Sequence, residues 1–342
     1  MSQNYIIGQI QCTIGSVLQV SAKYEKRDIL GAVMVRWGIN RDNYRVTPGL
    51  YAIGSPESSS DVFVTANYKL SFDILRKNLH GINGWILVLD TKGINVWCAA
   101  GKGTFGTEEL VTRIKSVSLD KIVSHKRIIL PQLGAVGIAA HKIKEETGFN
   151  VHYGPVRASD IKKFISDGYR ADKQMRKVTF NLMDRLKLIP NDFMYGKFYL
   201  LGAFALVFLI SFISRGIVIN MVESGLGAIL NVFIAYSSGI IITPLLLPYL
   251  PGRQFSLKGF ISDLIVAFLL FLFNRTGNNI YEILAWFTII PVVSSFMAMN
   301  FTGSSTYTSL SGVKKEMKVA VPLQIIFSIA GVILLVISKL LN

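Results

Sequence analysis

Residues 85–107 read Trp85-Ile86-Leu87-Val88-Leu89-Asp90-Thr91-Lys92-Gly93-Ile94-Asn95-Val96-Trp97-Cys98-Ala99-Ala100-Gly101-Lys102-Gly103-Thr104-Phe105-Gly106-Thr107. The apolar run closed by a carboxylate predicts a strand over Trp85–Asp90. Shorter runs of the same kind predict strands at Val62–Ala66, Arg127–Leu130 and Val151–Tyr153. Between them, apolar spacings of three and four predict helices over Leu70–Leu79, Glu108–Ser116, Ala135–Thr147 and Ser159–Asp167. Thr147-Gly148 and Asp167-Gly168 supply C-terminal stops. Strands alternating with helices imply an α/β domain with a parallel sheet, whose ligands bind beyond the carboxyl ends of the strands.

The rest of the chain is different in kind. Apolar stretches at about Phe198–Ser214, Leu226–Leu250, Leu257–Phe273, Ile280–Met299 and Val321–Leu341 each approach the ~20 residues of a membrane-crossing helix. An all-α domain of about five transmembrane helices, residues 191–342, is therefore expected behind a front domain of residues 1–190. The 342 residues are 51% hydrophobic and 17% charged, with a mean hydropathy of +0.44, which is unusual for a soluble chain. From Phe198 onward there are only 8 basic and 4 acidic residues, so most of the net charge of +15 sits on the front domain.

The basic residues between Arg157 and Lys187 precede the first apolar span, where cytoplasmic charge meets anionic membrane lipid. Nucleic acid is excluded as a partner, because no RNA- or DNA-binding motif accompanies the charge. Met1-Ser2-Gln3-Asn4 does not open a cleavable signal, so the front domain is expected in the cytoplasm. Loops with Arg253 and Lys258, and with Lys314, Lys315 and Lys318, then fall inside, and Arg215 and Arg275 outside. The expected carboxyl terminus is external. Glu223, Asp263 and Glu282 are placed near span ends, where snorkelling accounts for them and the spans serve as an anchor. Cys12 and Cys98 are too few for a disulfide framework or an iron–sulfur cluster.

The stretch after Asp90 admits two functional readings. Gly101, Gly103 and Gly106 form a GxGxxG, with Ile94–Ala100 as a strand, a helix from Glu108 and Asp120 further on, as in a dinucleotide site. A Walker A loop fails for want of a glycine five positions before Gly101. Alternatively, Asn95–Lys102 is a short helix whose small neighbours let a flat ligand approach Cys98. An ordinary buried cysteine is also consistent with the pattern.

Asn95-Val96-Trp97-Cys98-Ala99-Ala100-Gly101-Lys102, continued by Gly103-Thr104-Phe105-Gly106-Thr107, resembles the cap-helix motif of the HgcA family of corrinoid-dependent mercury methyltransferases. The resemblance extends to Arg36-Trp37-Gly38-Ile39, Asn43-Tyr44-Arg45-Val46, Thr65-Ala66-Asn67-Tyr68-Lys69, Gly154-Pro155-Val156-Arg157-Ala158 and, in the second half, Asn300–Val313. It implies a Rossmann-like corrinoid-binding domain related to the corrinoid iron–sulfur proteins. Cys98 would be the lower axial ligand of cobalt in a cobalamin-type corrinoid. Around it, the resemblance brings Thr65, Asn67, Asn95, Val96, Trp97, Ala99, Ala100, Gly101, Lys102, Gln132, Leu133, Gly134, Ala135, Gly154 and Ala158 to the corrin.

A thiolate is anionic and strongly donating, so it favours departure of a methyl group as a carbanion toward a soft acceptor such as Hg(II). No Asp-x-His-x-x-Gly signature of histidine-ligated corrinoid domains surrounds His80, His125, His141 or His152. The implied activity is transfer of methyl from methyl-cobalt(III) to inorganic Hg(II), giving methylmercury. The implied partners are a methyltetrahydrofolate-type donor or its enzyme, and an HgcB-like ferredoxin with two 4Fe–4S clusters. The competing readings are a corrinoid methyl carrier of one-carbon metabolism, of the acetyl-CoA pathway type, and a membrane-tethered dinucleotide protein.

Overall fold

Seven strands and the helices between them make up the first part of the computed structural model, which describes residues 5–13, 15–213, 218–301 and 310–341. One unit comprises residues 1–35 and 39–178, the other residues 36–38 and 179–342. Met1–Asn4, Arg215 and most of the Asn300–Val313 segment lie outside the described residues.

In the first unit the strands are β1 (Ile6–Cys12), β2 (Gly15–Val20), β3 (Gly49–Ile53), β4 (Val62–Ala66), β5 (Gly84–Leu89), β6 (Arg127–Leu130) and β7 (Asn150–Tyr153). They form one sheet in the order β1-β2-β3-β5-β4-β6-β7. Pairing is parallel at β2–β3, β4–β5, β4–β6 and β6–β7, and antiparallel at β1–β2 and β3–β5. The sheet is thus mixed but mainly parallel. The hairpin β1–β2 and strand β3 extend the four strands expected from the sequence. β1 alternates half-buried and exposed residues, as a one-faced edge ribbon does.

β4 and β5 are buried at every residue. The pleat divides their side chains between two cores. Val62, Val64, Ala66, Trp85, Leu87 and Leu89 enter one, and Phe63, Ile86 and Val88 the other. The first core is closed by residues of α3 (Val96–Lys102), α4 (Thr107–Ser116), α5 (Leu119–Ile122) and α6 (Ala140–Thr147). The second is closed by Phe72 and Leu75 of α2 (Lys69–Asn78) and by Ile161 and Phe164 of α7 (Ile161–Ser166). Each fully buried Leu, Ile or Val contributes about 1.5–3 kcal/mol relative to exposure, so this two-sided burial holds β4 and β5 at the centre.

Two expected helices are shorter than their patterns. Ala135–Thr147 is a 3-10 turn over Gln132–Gly137 followed by α6, with Ile138 and Ala139 extended between them. Gly137 cannot be replaced in that turn, because a Cβ there would lie 2.2 Å from the Phe105 carbonyl oxygen. Ser159–Asp167 is likewise a 3-10 turn, Ala158–Asp160, leading into α7. The strand that a dinucleotide fingerprint requires over Ile94–Ala100 is absent, since that segment is mostly α3.

Among its described residues the second unit carries four helices long and apolar enough to cross a membrane: Val218–Leu246, Phe255–Leu272, Ile280–Asn300 and the larger part of Leu310–Leu340. Lys197–Ser211 has 15 residues, about 22 Å, too short to cross alone. A fifth span exists only if it acts with Leu182–Tyr195, from which it bends by 55°. Of the three acidic residues expected near span ends, Glu223 is exposed and Glu282 pairs with Lys339 at 2.9 Å. Asp263 departs from that expectation: it sits at the middle of its helix with 0% exposure, so snorkelling does not account for it.

Candidate functional site

The carboxyl ends of β4 and β5 are joined by one side chain. Asn67, which directly follows β4, is 2% exposed. Its Oδ1 accepts from the N–H groups of Thr91 (3.1 Å) and Gly93 (2.9 Å) and from the Thr91 hydroxyl (2.9 Å). Its Nδ2 donates to Asp90 Oδ1 at 3.1 Å. Lys92 and Gly93 both have positive φ, +58° and +75°, so the chain reverses here within two residues. Partial burial pushes the Asp90 carboxyl up, but hydrogen bonds from Lys92 and the charges of Lys92 and Arg113 reverse this and hold it below the ordinary carboxylate value.

That reversal delivers α3. Asn95 is its N-cap, accepting from the Cys98 N–H at 3.0 Å, and Gly103, with φ +82°, ends it. Ala99 and Ala100 are buried in the first core, while Cys98, Gly101 and Lys102 are exposed and Trp97 is half-exposed. The exposure of Cys98 rules out the ordinary buried cysteine. Cys12, the other sulfur, is partly buried, and burial pushes its thiol up.

Beside α3 a cavity of about 360 Å³ opens at the carboxyl ends of β4, β6 and β7. Of the expected residues, Thr65, Asn95, Val96, Trp97, Leu133, Gly154 and Ala158 line it. Cys98 stands next to this wall and not in it. Asn67, Ala99, Ala100 and Gly134 are buried and do not line it, and Gly134 is packed against the Phe105 ring. Gln132 keeps a buried Oε1 with no partner among the described residues, and Ala135 is half-buried outside the lining. Sequence reasoning missed Ser71, Ile74 and Leu75, which line the cavity from one face of α2. Their spacing of three and four was the available signal.

Residues 13–165, which hold this cavity and α3, match the family model of the CO dehydrogenase/acetyl-CoA synthase delta subunit. The corrinoid/iron-sulfur protein large subunit of Moorella thermoacetica is 35% identical over 122 residues, 35% of this chain and 27% of that protein. The first unit is similar to corrinoid proteins. The acetyl-CoA decarbonylase/synthase complex subunit gamma of Archaeoglobus fulgidus is 30% identical over 146 residues, 41% of this chain and 31% of its own. The same subunit of Methanopyrus kandleri is 30% identical over 127 residues, 36% and 27% of the two chains. The chain therefore spans between a quarter and a third of the length of these relatives, and the family-model match ends at residue 165, before the apolar helices.

Proposed function

We propose that this chain is a membrane-tethered corrinoid protein that carries a methyl group, and that the acceptor of that group is inorganic Hg(II). The observation that carries the proposal is the exposed Cys98 sulfur on a capped helix beside a strand-end cavity, in a region similar to corrinoid proteins.

The residues present suit a corrinoid. A Cβ on Gly101 would meet nothing within 4 Å, so the exposed face of α3 is open to a broad ligand. Gly154 keeps the cavity wall thin, since a Cβ there would already lie 3.2 Å from Ile129 Cγ2. A single thiolate donor matches a soft metal. When bound, the corrinoid supplies the cobalt that bears the methyl group. Cys98 would donate to that metal as an anion, and Asn95 would fix the backbone from which it does so. Trp97, Leu133, Gly154 and Ala158 would exclude water from the adjoining part of the group. Two cysteines leave low-potential electrons to a separate protein, for which a ferredoxin with two 4Fe–4S clusters is proposed. The proposed setting is the cytoplasmic membrane, with the first unit on the cytoplasmic side.

What supports Hg(II) is the softness of the acceptor that an anionic donor favours, together with the Asn95–Lys102 pattern. A second reading, methyl carriage in acetyl-CoA-type metabolism, is the one favoured by the names of the relatives. Anaerobic purification with added corrinoid should give visible corrin bands, and labelled methyl should then appear on mercury in an assay with Hg(II). Label that reaches a cellular one-carbon acceptor and never mercury would establish the second reading. A protein that binds NAD and no corrinoid would end both. Cys98→Ala should abolish transfer, and Cys98→His, which can still ligate, should lose most of it if anionic donation matters.

A further inference from the structure

A polar centre lies inside the apolar half of the chain, where three helices converge: α11 (Val218–Leu246), α12 (Phe255–Leu272) and α13 (Ile280–Asn300). Asp263 of α12 is fully buried. Its Oδ2 accepts from Ser294 of α13 at 2.6 Å, Ser238 of α11 at 2.7 Å and Ser262 at 3.1 Å. Thr243 of α11 lies 2.9 Å from Ser262. Close helix approach makes the cluster possible. A Cβ on Gly239 would lie 2.8 Å from the Ser294 backbone, and one on Gly259 2.7 Å from the Ser294 carbonyl oxygen.

The other carboxylate oxygen, Oδ1, is buried with no hydrogen-bond partner among the described residues. All three hydroxyls converge on Oδ2, which leaves Oδ1 as an open acceptor. As an anion in an apolar bundle this group needs a countercharge. The ionisable residues of these helices do not provide one. Lys258 is engaged with the Leu247 carbonyl, Glu282 with Lys339, and Tyr236 with the Phe193 carbonyl, while Glu223 and Tyr281 are exposed. Each serine hydroxyl that donates to Oδ2 keeps lone pairs free to bind a cation.

We propose that Asp263, with Ser238, Ser294 and Thr243, forms an intramembrane binding site for a small alkali cation, Na⁺ in the first instance. One carboxylate matches one positive charge. A divalent ion would remain uncompensated here, since Ca²⁺ and Mg²⁺ sites use more oxygens and more negative charge. Occupancy ties α11, α12 and α13 together through ligands from all three.

The full chain in detergent micelles is melted in NaCl, LiCl, KCl or choline chloride, each at about 150 mM so that screening is constant. Na⁺ should raise Tm by about 2–4 °C over choline, the size expected from saturating one weak site. Asp263→Asn, which keeps the shape and removes the charge, should abolish the rise, and Ser294→Ala should shift the half-saturating Na⁺ concentration several-fold upward. Identical melting of the unaltered chain in all four salts overturns the proposal, whether or not the variants fold. A Tm that follows pH but no cation assigns a proton to Asp263 and also overturns it, as does a Na⁺ response that survives in Asp263→Asn.

Discussion

Removing the Asn67 side chain tests whether the placement of α3 depends on the latch between β4 and β5. In Asn67→Ala the Thr91 N–H, in a residue with 0% exposure, loses its acceptor, and the part-buried Gly93 N–H loses its own. An orphaned buried donor costs about 1–3 kcal/mol, and Gly93 can recover part of its loss from water, so the total is about 2–4 kcal/mol. For a unit of this size that corresponds to a fall in Tm of about 5–15 °C. Exchange of the Thr91 and Gly93 amides, followed by mass spectrometry, should accelerate about 30- to 900-fold if opening of this loop is the limiting event. Asn67→Asp keeps an acceptor for both amides and should protect them better than Ala at low pH, then lose that advantage as two carboxylates ionise side by side. Unchanged exchange at Thr91 and Gly93 in Asn67→Ala would refute the reasoning and mean that something other than this side chain holds the loop.

Cys98→Ala should change stability by no more than about 0.5 kcal/mol, because the residue is exposed; a large loss on thermal melting would make the cysteine a packing residue. Gly154→Phe should fill the cavity and abolish corrinoid binding, with a far-ultraviolet dichroism spectrum unlike that of an unfolded chain. Glu282→Gln should destabilise by about 3–5 kcal/mol, since it leaves Lys339, about nine-tenths buried, without its partner, and Tm in detergent measures this. Burial pushes the Asp28 carboxyl up, but bonds from the Glu25 N–H, Arg76 and Lys69 outweigh it and hold the group below 3.8. Its stabilisation is therefore present above pH 3.8 and fades as pH falls through the lower folded-state value, so Asp28→Asn should lower Tm at pH 6 and flatten the acid limb of a Tm–pH profile.

The centre of the sheet was legible because Val62–Val64 and Trp85–Leu89 are apolar at consecutive positions, as a short strand buried on both faces requires. β1 and β2 were not, because Gln9, Gln11 and Gln19 dilute their apolar content and their partner lies in the sheet edge they themselves form. The cap helix was legible only through the resemblance of Asn95–Lys102, since the residue pattern left Ile94–Ala100 open as a strand. The division of labour within that segment was not legible, because sequence spacing places Ala99 and Ala100 on the helix without saying which side meets the core. Asn67 shows the same limit: a polar residue at a strand end suggests a ligand, and its bonding to Thr91 and Gly93 emerges only when two strands are adjacent. Asp263 was misplaced because a linear span gives depth along one helix and nothing about the hydroxyls that two other helices bring to it.

Seven residues are too few to hold a helix in water, where nucleation outweighs the handful of bonds that α3 can close. A synthetic peptide bearing Asn95–Lys102 would consequently be a disordered thiol with no defined direction for its sulfur. The orientation of Cys98 is a property of the whole sheet, lent through Ala99 and Ala100, so any damage that melts β4 and β5 would silence the sulfur without touching it.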